Sequence, residues 1–297
     1  MSWLGVDIGG TKAQAVVVDD ELRVRTARRV SSGASDGADR MIETALGLIG
    51  ELLAEFPDVL GVGVGAAGVI DPVSGVVTAA SGTFPQWQGK SPAKLLENAL
   101  GRPVLVENDV NAFLRGEASA GAALGAEHVI GITVGTGIGG ALLSSGELLH
   151  GAHGGAGEIG HTPGFGDDPC TCGARGHLES VAAGPSIARR FAARDGRALG
   201  PAEIAELARH GDPAARGVYA DAGAALGQAI ATAATLLDCQ TVVVGGGVAA
   251  AWDLIEAPCR AVVDSSVLAS NRGLSIETAR LGVLAVAIGA AALARSA

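Results

Sequence analysis

The chain has 297 residues, a net charge of −10, 48% hydrophobic residues and 18% charged residues. That length allows one large or two medium domains, and the composition speaks against disorder. The negative balance speaks against a nucleic-acid surface, whose phosphates need Lys and Arg, and against attraction to an anionic membrane.

Aromatic residues make up 3% of the chain and glycines number 46, about twice the usual fraction. A core built from small side chains, many tight turns and close backbone approaches is expected. Of the four cysteines, Cys170 and Cys172 form a close pair, while Cys239 and Cys259 stand apart. That is not a secreted disulfide framework, and it fits a reducing cytoplasm. The N-terminus lacks a basic-then-apolar signal, and the nearly apolar run 281–294 is too short to span a bilayer.

Residues 3–18 read as strand, glycine turn, strand, with Asp7 ending the first strand and Gly9-Gly10 at the turn. Such a turn lets backbone N–H groups approach a phosphate, with Thr11 adding a hydroxyl and Lys12 a cation. Asp7 is placed to orient a hydrated Mg²⁺. The same residues also read as an ordinary hairpin. Residues 130–148 repeat the layout of 4–22 at a constant offset of 126, pairing Gly5 with Gly131, Gly9 with Gly135 and Glu21 with Glu147. This self-similarity predicts two related lobes, each opening with a hairpin whose glycine turn faces a shared cleft.

Two G-x-G-x-x-G matches, 63–68 and 135–140, run into β-like segments and not into helices, so the dinucleotide fingerprint is rejected. Residues 38–56 carry apolar groups at helical spacing, and Pro57 stops the helix. Residues 59–64 read as a strand, Gly65 to Gly68 as a tight turn, and 69–80 as a hairpin. Residues 81–89 form a loop whose Trp87 ring is free for exposure. A helix is predicted over 91–100 and a strand over 104–106. Asn108 and Asp109 then stand at a strand's C-terminal end, before a helix over 112–121, where open α/β sheets bind ligands. Asp109 suits accepting a proton from a hydroxyl nucleophile, and Asn108 suits holding a neighbouring hydroxyl. The alternative is that one of them caps the helix.

His161, Cys170, Cys172 and His177 lie within seventeen residues, separated by eight, one and four positions. Two thiolates and two imidazoles are a donor set for tetrahedral Zn²⁺, and the Gly, Pro, Asp and Thr between them favour loops. Four protein ligands leave no open position, so the expected metal is structural. Glu158 and Glu179 bracket the stretch, and the closed loop would bring both carboxylates toward one place. The alternative is a loop with free thiols and solvated histidines. Farther on, helices are predicted over 185–194, 201–210, 214–237, 252–263 and 281–295, with strands at 241–248 and 274–276. The first of these strands ends in Gly245-Gly246-Gly247, a flat turn for a base or ribose, or simply a tight strand-to-helix turn.

Taken together, these stretches resemble the ROK family of sugar kinases over nearly the whole chain. Asp7-Ile8-Gly9-Gly10-Thr11-Lys12 is similar to the family's first phosphate motif, Gly135-Thr136-Gly137 to the second, and Gly245-Gly246-Gly247-Val248 to the adenosine-side motif. Glu107-Asn108-Asp109 resembles the segment carrying the catalytic base. Residues 158–161 and 170–179 resemble the sugar and zinc signature. The resemblance implies an α/β chain with the two-lobed actin-like, hexokinase-like ATPase fold, ribonuclease H-like lobes and a zinc-stabilised loop. The expected lobes are 1–118 plus 282–297 and 119–281.

It further implies that Gly68, Thr83, Asn108, Asp109, Glu158, His161 and Glu179 bind the sugar. His161 would use one ring nitrogen for the sugar and the other for zinc. Asp7, Gly9, Gly10, Thr11, Lys12, Gly135, Thr136, Gly137, Gly246 and Gly247 would bind ATP with Mg²⁺. Asp109 would take the proton from the 6-hydroxyl of a hexose, foremost glucose, as it attacks the γ-phosphate. The lobes are expected to close over the sugar and exclude water. An N-acetylhexosamine, N-acetylmannosamine or N-acetylglucosamine, is the alternative substrate. A homodimer in the cytoplasm is implied as well. The family's sugar-responsive repressors carry an N-terminal DNA-binding domain, for which a phosphate motif at residue 7 leaves no room, and no basic run suits polyphosphate. Three positions depart from the family pattern. His177 stands for a zinc cysteine, Thr83 stands for an asparagine, and residues 65–68 lack a proline.

Overall fold

The computed structural model describes residues 1–80 and 84–297. The chain forms two compact units. Met1–Ala126, Ala141–Ala156 and Ala279–Ala297 make the first, and Glu127–Gly140 and Gly157–Thr278 make the second. No described helix is long and apolar enough to cross a membrane.

In the first unit, β1 (Ser2–Ile8) and β2 (Lys12–Val18) form the predicted hairpin, closed by the Gly9 N–H donating to the Lys12 carbonyl at 3.1 Å. β3 (Val24–Ser31) follows as an edge strand on β2. Its sequence, VRTARRVS, leaves most side chains in water and lacks the alternation that marks a half-buried strand. α1 (Ala38–Glu55) buries Met41, Ile42, Ala45, Leu48, Ile49 and Leu52 on one stripe, as its spacing predicts. β4 (Val59–Ala66), β5 (Val69–Ile70), β6 (Val77–Ala79), α2 (Pro92–Leu100), β7 (Leu105–Asn108) and α3 (Asp109–Ala120) come next. The sheet order is β3-β2-β1-β4-β7, with β1, β4 and β7 parallel.

Three expectations are corrected here. Gly65 and Ala66 continue β4, so the turn is confined to the residues around Gly68, whose φ is +97°. The Trp87 ring is fully buried, because its Nε1 finds the Ala67 carbonyl at 2.7 Å and its body joins the apolar cluster of Leu4, Ile8 and Leu96. The helix expected from residue 112 begins at Asp109, three residues earlier, because Asn108 caps it.

The second unit contributes β8 (Val129–Val134) and the start of β9 (Ile138–Ser144), which passes into the first unit at Ala141 and is followed by β10 (Glu147–Leu148). After the Cys/His loop come α4 (Glu179–Ala182), α5 (Gly184–Asp195), α6 (Pro201–Arg209), α7 (Pro213–Leu237), β11 (Thr241–Gly245), α8 (Trp252–Ser266) and β12 (Ser275–Thr278). The sheet order is β10-β9-β8-β11-β12, with β8, β11 and β12 parallel. Both sheets therefore follow one plan, in which a hairpin and a third strand are extended by two parallel strands on the far side of the first. The 126-residue repeat is a repeat of structure.

α9 (Ala285–Arg295) ends the chain within the first unit, packed against β1, β4 and α3. The approach is close enough to require missing side chains. A Cβ on Gly63 would stand 1.9 Å from the Ala290 carbonyl oxygen, one on Gly5 1.9 Å from that of Ala287, and one on Gly289 1.7 Å from that of Ala112. The high glycine and alanine content is in part a requirement of this contact.

Candidate active site

The C-terminal ends of the parallel strands in the first unit lie side by side, with Ile8 opposite Ala66 and Ala66 opposite Asn108. Here the backbone turns away from the sheet, and the polar side chains of the sequence motifs collect. Asn108 caps α3, its Oδ1 accepting from the N–H groups of Val110 at 2.8 Å and Asn111 at 3.0 Å. Its Nδ2 donates to the Gly68 carbonyl and to Asp109 Oδ1, each at 3.0 Å. The cap and the candidate site are thus the same residue. Asp109 opens the helix, where the positive end of the dipole favours a carboxylate. Thr83 lies outside the described residues.

Asp7 is partly buried at the end of β1. Burial pushes its carboxyl up to about 7, the Asp109 charge adds to the rise, and Arg29 opposes it. Asp7, Gln14 and Arg29 face one another in lateral register across β1, β2 and β3, which is how an exposed edge-strand cation comes to act on a site carboxylate. Thr11 and Lys12 are exposed at the turn, and Gly10 faces the Phe84 ring, which a Cβ would meet at 3.2 Å.

In the second unit the β8–β9 turn, Gly135 to Gly137, lies against the turn after β11. A Cβ on Gly135 would stand 3.9 Å from the Gly247 nitrogen, and one on Gly246, at φ +89°, would stand 2.4 Å from the Val134 carbonyl oxygen. Glu179 is buried below the first turn and accepts from the Ile138 N–H at 2.9 Å through Oε2. Its other oxygen accepts from the Thr171 hydroxyl. Glu179, expected to contact a sugar, therefore joins the glycine turn to the Cys/His loop. Burial raises the Glu158 carboxyl, His161 works against that rise, and Glu179 adds to it.

The four predicted metal donors converge. One ligand atom from each of His161, Cys170, Cys172 and His177 lies within 4.8 Å of all the others. Cys170 Sγ is 3.6 Å from His161 Nδ1, and Cys172 Sγ is 3.3 Å from His177 Nδ1. Tetrahedral zinc sets sulfur and nitrogen roughly 3.5 Å apart, so the spacing fits that metal. Burial pushes the Cys170 thiol up, which a cation among the donors would reverse. The His161 Nε2, turned from the cluster, lies 3.9 Å from Glu158 Oε2. Arg175 pairs with Asp167 within the loop, and Arg190 of α5 holds the loop from outside through Asp168 at 2.8 Å.

One pair had no local signal. His150 Nε2 lies 2.7 Å from Glu107 Oε2, and Glu107 Oε1 accepts from the Asn108 N–H at 2.9 Å and Asn111 Nδ2 at 3.0 Å. Glu107 is part of the strand-end motif, but the folded chain alone brings His150 to it.

The profile of the ROK family matches residues 3–297. The glucokinase of Thermotoga maritima is 33% identical over 291 residues, covering 91% of this chain and 89% of that one. The N-acetylmannosamine kinase of Citrobacter koseri is 35% identical over 260 residues, covering 84% of each. Among solved structures, a ROK family glucokinase from Streptomyces griseus in complex with glucose and AMPPNP superposes with a TM-score of 0.85 at 32% identity, covering 100% of both chains. Motifs, sheet plan and relatives agree from one end of the sequence to the other, and the chain belongs to the ROK family.

Proposed function

We propose that the chain is an ATP-dependent hexose kinase that phosphorylates the 6-hydroxyl of glucose. The observation that carries this is the strand-end cluster of Gly68, Asn108 and Asp109 beside the Asp7 turn, in a chain similar to a glucokinase solved with glucose and AMPPNP. In this reading Asp109 accepts the hydroxyl proton during attack on the γ-phosphate. Gly68, Thr83, Asn108, Glu158, His161 and Glu179 hold the sugar. Gly9, Gly10, Thr11, Lys12, Gly135, Thr136 and Gly137 present N–H groups, a hydroxyl and a cation to the phosphates, and Gly246 and Gly247 lie against the adenosine. Positioning and charge stabilisation supply most of the rate in such transfers.

Mg²⁺ would sit beside Asp7 and neutralise phosphate charge. Burial raises the Asp7 carboxyl, and a cation bound beside it would lower it again and favour the charged form. His161, Cys170, Cys172 and His177 would hold Zn²⁺, which has no open position and serves to shape the loop bearing Glu158 and Glu179. We infer a homodimer and a cytoplasmic location.

The relative from Citrobacter koseri favours a second reading, an N-acetylhexosamine kinase. A coupled ADP-release assay with Mg·ATP across glucose, mannose, fructose, N-acetylglucosamine and N-acetylmannosamine separates the two. The highest kcat/KM on glucose supports the first reading, and the highest on an N-acetylhexosamine replaces it with the second. Silence on every sugar, from folded protein, overturns both.

A further inference from the structure

The Glu107 carboxylate is buried and divided among three donors. Oε1 takes the Asn108 N–H, on the last residue of β7, and the Asn111 side chain, in the first turn of α3. Those two bonds fasten the bend from strand to helix from both sides. Asn108 and Asp109 are the residues of that bend, and the direction in which Asp109 leaves the sheet is set there. Oε2 faces the other way, and among the described residues its donor is His150, at 2.7 Å. His150 arrives from the loop after β10 and belongs to the same compact unit, with its side chain 35% exposed.

A buried carboxylate oxygen without a donor is costly, so a chain lacking the His150 imidazole would shift Glu107 toward water or another partner. Either shift pulls on the Asn108 N–H and the Asn111 side chain. A general base acts only within hydrogen-bond reach of its hydroxyl, and a displacement of about 1 Å far from the chemistry can cost about a hundredfold in rate.

We propose that His150 is a positioning residue for phosphoryl transfer, holding Glu107 and, through it, the β7–α3 bend that carries Asn108 and Asp109. The proposal rests on the reading of Asp109 as the base. His150 acts through its Nε2 donor on Glu107, so a side chain that returns a donor to that point should restore function.

The test compares His150→Leu with His150→Gln, whose amide reaches the Nε2 position, and repeats His150→Leu in a Glu107→Gln background. Steady-state kinetics are measured at a temperature where each variant is folded by circular dichroism. We expect kcat to fall about tenfold in His150→Leu with the ATP KM within about twofold, and His150→Gln to recover most of the loss. The double variant should be no slower than Glu107→Gln alone. Equal losses in His150→Leu and His150→Gln, losses that multiply in the double variant, or an unchanged kcat in His150→Leu would overturn the proposal. Should His150→Leu not fold, His150→Asn, whose amide stops short of the Nε2 position, takes its place with the same expectations. Asp109→Asn is run alongside. Wild-type turnover in that variant removes the base and the positioning that depends on it, whereas failure of the His150 series alone leaves the base standing.

Discussion

The Nδ1 of His161 stands 3.6 Å from the Sγ of Cys170. This contact orients the ring so that its other nitrogen faces Glu158, and a metal ion would lock that orientation. One zinc per chain is therefore expected by elemental analysis of purified protein. Cys172→Ser should release the zinc and raise the sugar KM about tenfold, read by metal content and by the coupled assay. Wild-type protein free of zinc would rule out the metal.

His177 offers a sharper form of the same test. Its Nδ1 lies 3.3 Å from Cys172 Sγ, so it stands among the donors. His177→Cys should keep the metal, since a thiolate serves tetrahedral zinc as well as an imidazole, and His177→Ala should lose it. Competition with a chelator gives the ranking, and equal retention in both variants would remove His177 from the ligand set.

Asp109→Asn should lower kcat by about 10³-fold, within the usual range for a missing general base. The amide keeps an oxygen for the Asn108 and Val110 donors, so the melting temperature should change little and sugar affinity by only a few-fold. Calorimetric titration with sugar measures the second quantity directly. A variant with wild-type turnover would exclude Asp109 as the base.

Asp7 makes stability depend on pH in a defined direction. Its carboxyl is pushed from 3.8 up to about 7 in the folded chain. Between those values the native state holds a proton that the unfolded state has released, so this group's contribution falls as pH rises from about 4 to about 7 and is level above. Asp7→Asn cannot titrate. Without added metal it should gain on the wild type across that window, by on the order of 2 kcal/mol, about half of a full three-unit shift. Urea melts of both proteins at pH 5 and pH 8 check the sign. A constant difference would show that Asp7 titrates normally.

Gly63→Ala tests the packing of the last helix. The added Cβ would stand 1.9 Å from a backbone oxygen, with no flexible side chain to yield. The expected destabilisation is about 3 kcal/mol, measured by urea unfolding, whereas Gly47→Ala, inside α1 where the Cβ meets nothing, should stabilise by up to about 1 kcal/mol.

Much of this molecule was legible because the deciding interactions are local. The Met41 to Leu52 stripe needs only helical spacing, the paired turns need only their glycines, and the metal donors crowd into seventeen residues. β3 escaped because an edge strand is held by backbone pairing with β2, which its side chains do not advertise. The start of α3 is not legible because Asn108 reads equally as a cap or a site residue, whereas one side chain performs the cap while facing Gly68 and Asp109. Trp87 and His150 were beyond local reading. A carbonyl at Ala67 buries the one, and a carboxylate 43 positions upstream recruits the other.

The seat of α9 bears on how the protein is made. The helix that covers Gly5 and Gly63, Ala285–Arg295, is translated long after β1 and β4, which end at Ile8 and Ala66. At roughly 5–20 residues per second, the sheet waits on the order of tens of seconds for its cover. During that interval one apolar face of the nascent sheet, including Trp3, Val16 and Val18, has no native partner. The second unit, whose segments are all synthesised before α9, can complete first. Chaperone dependence and losses to aggregation during expression should therefore follow the delivery of α9.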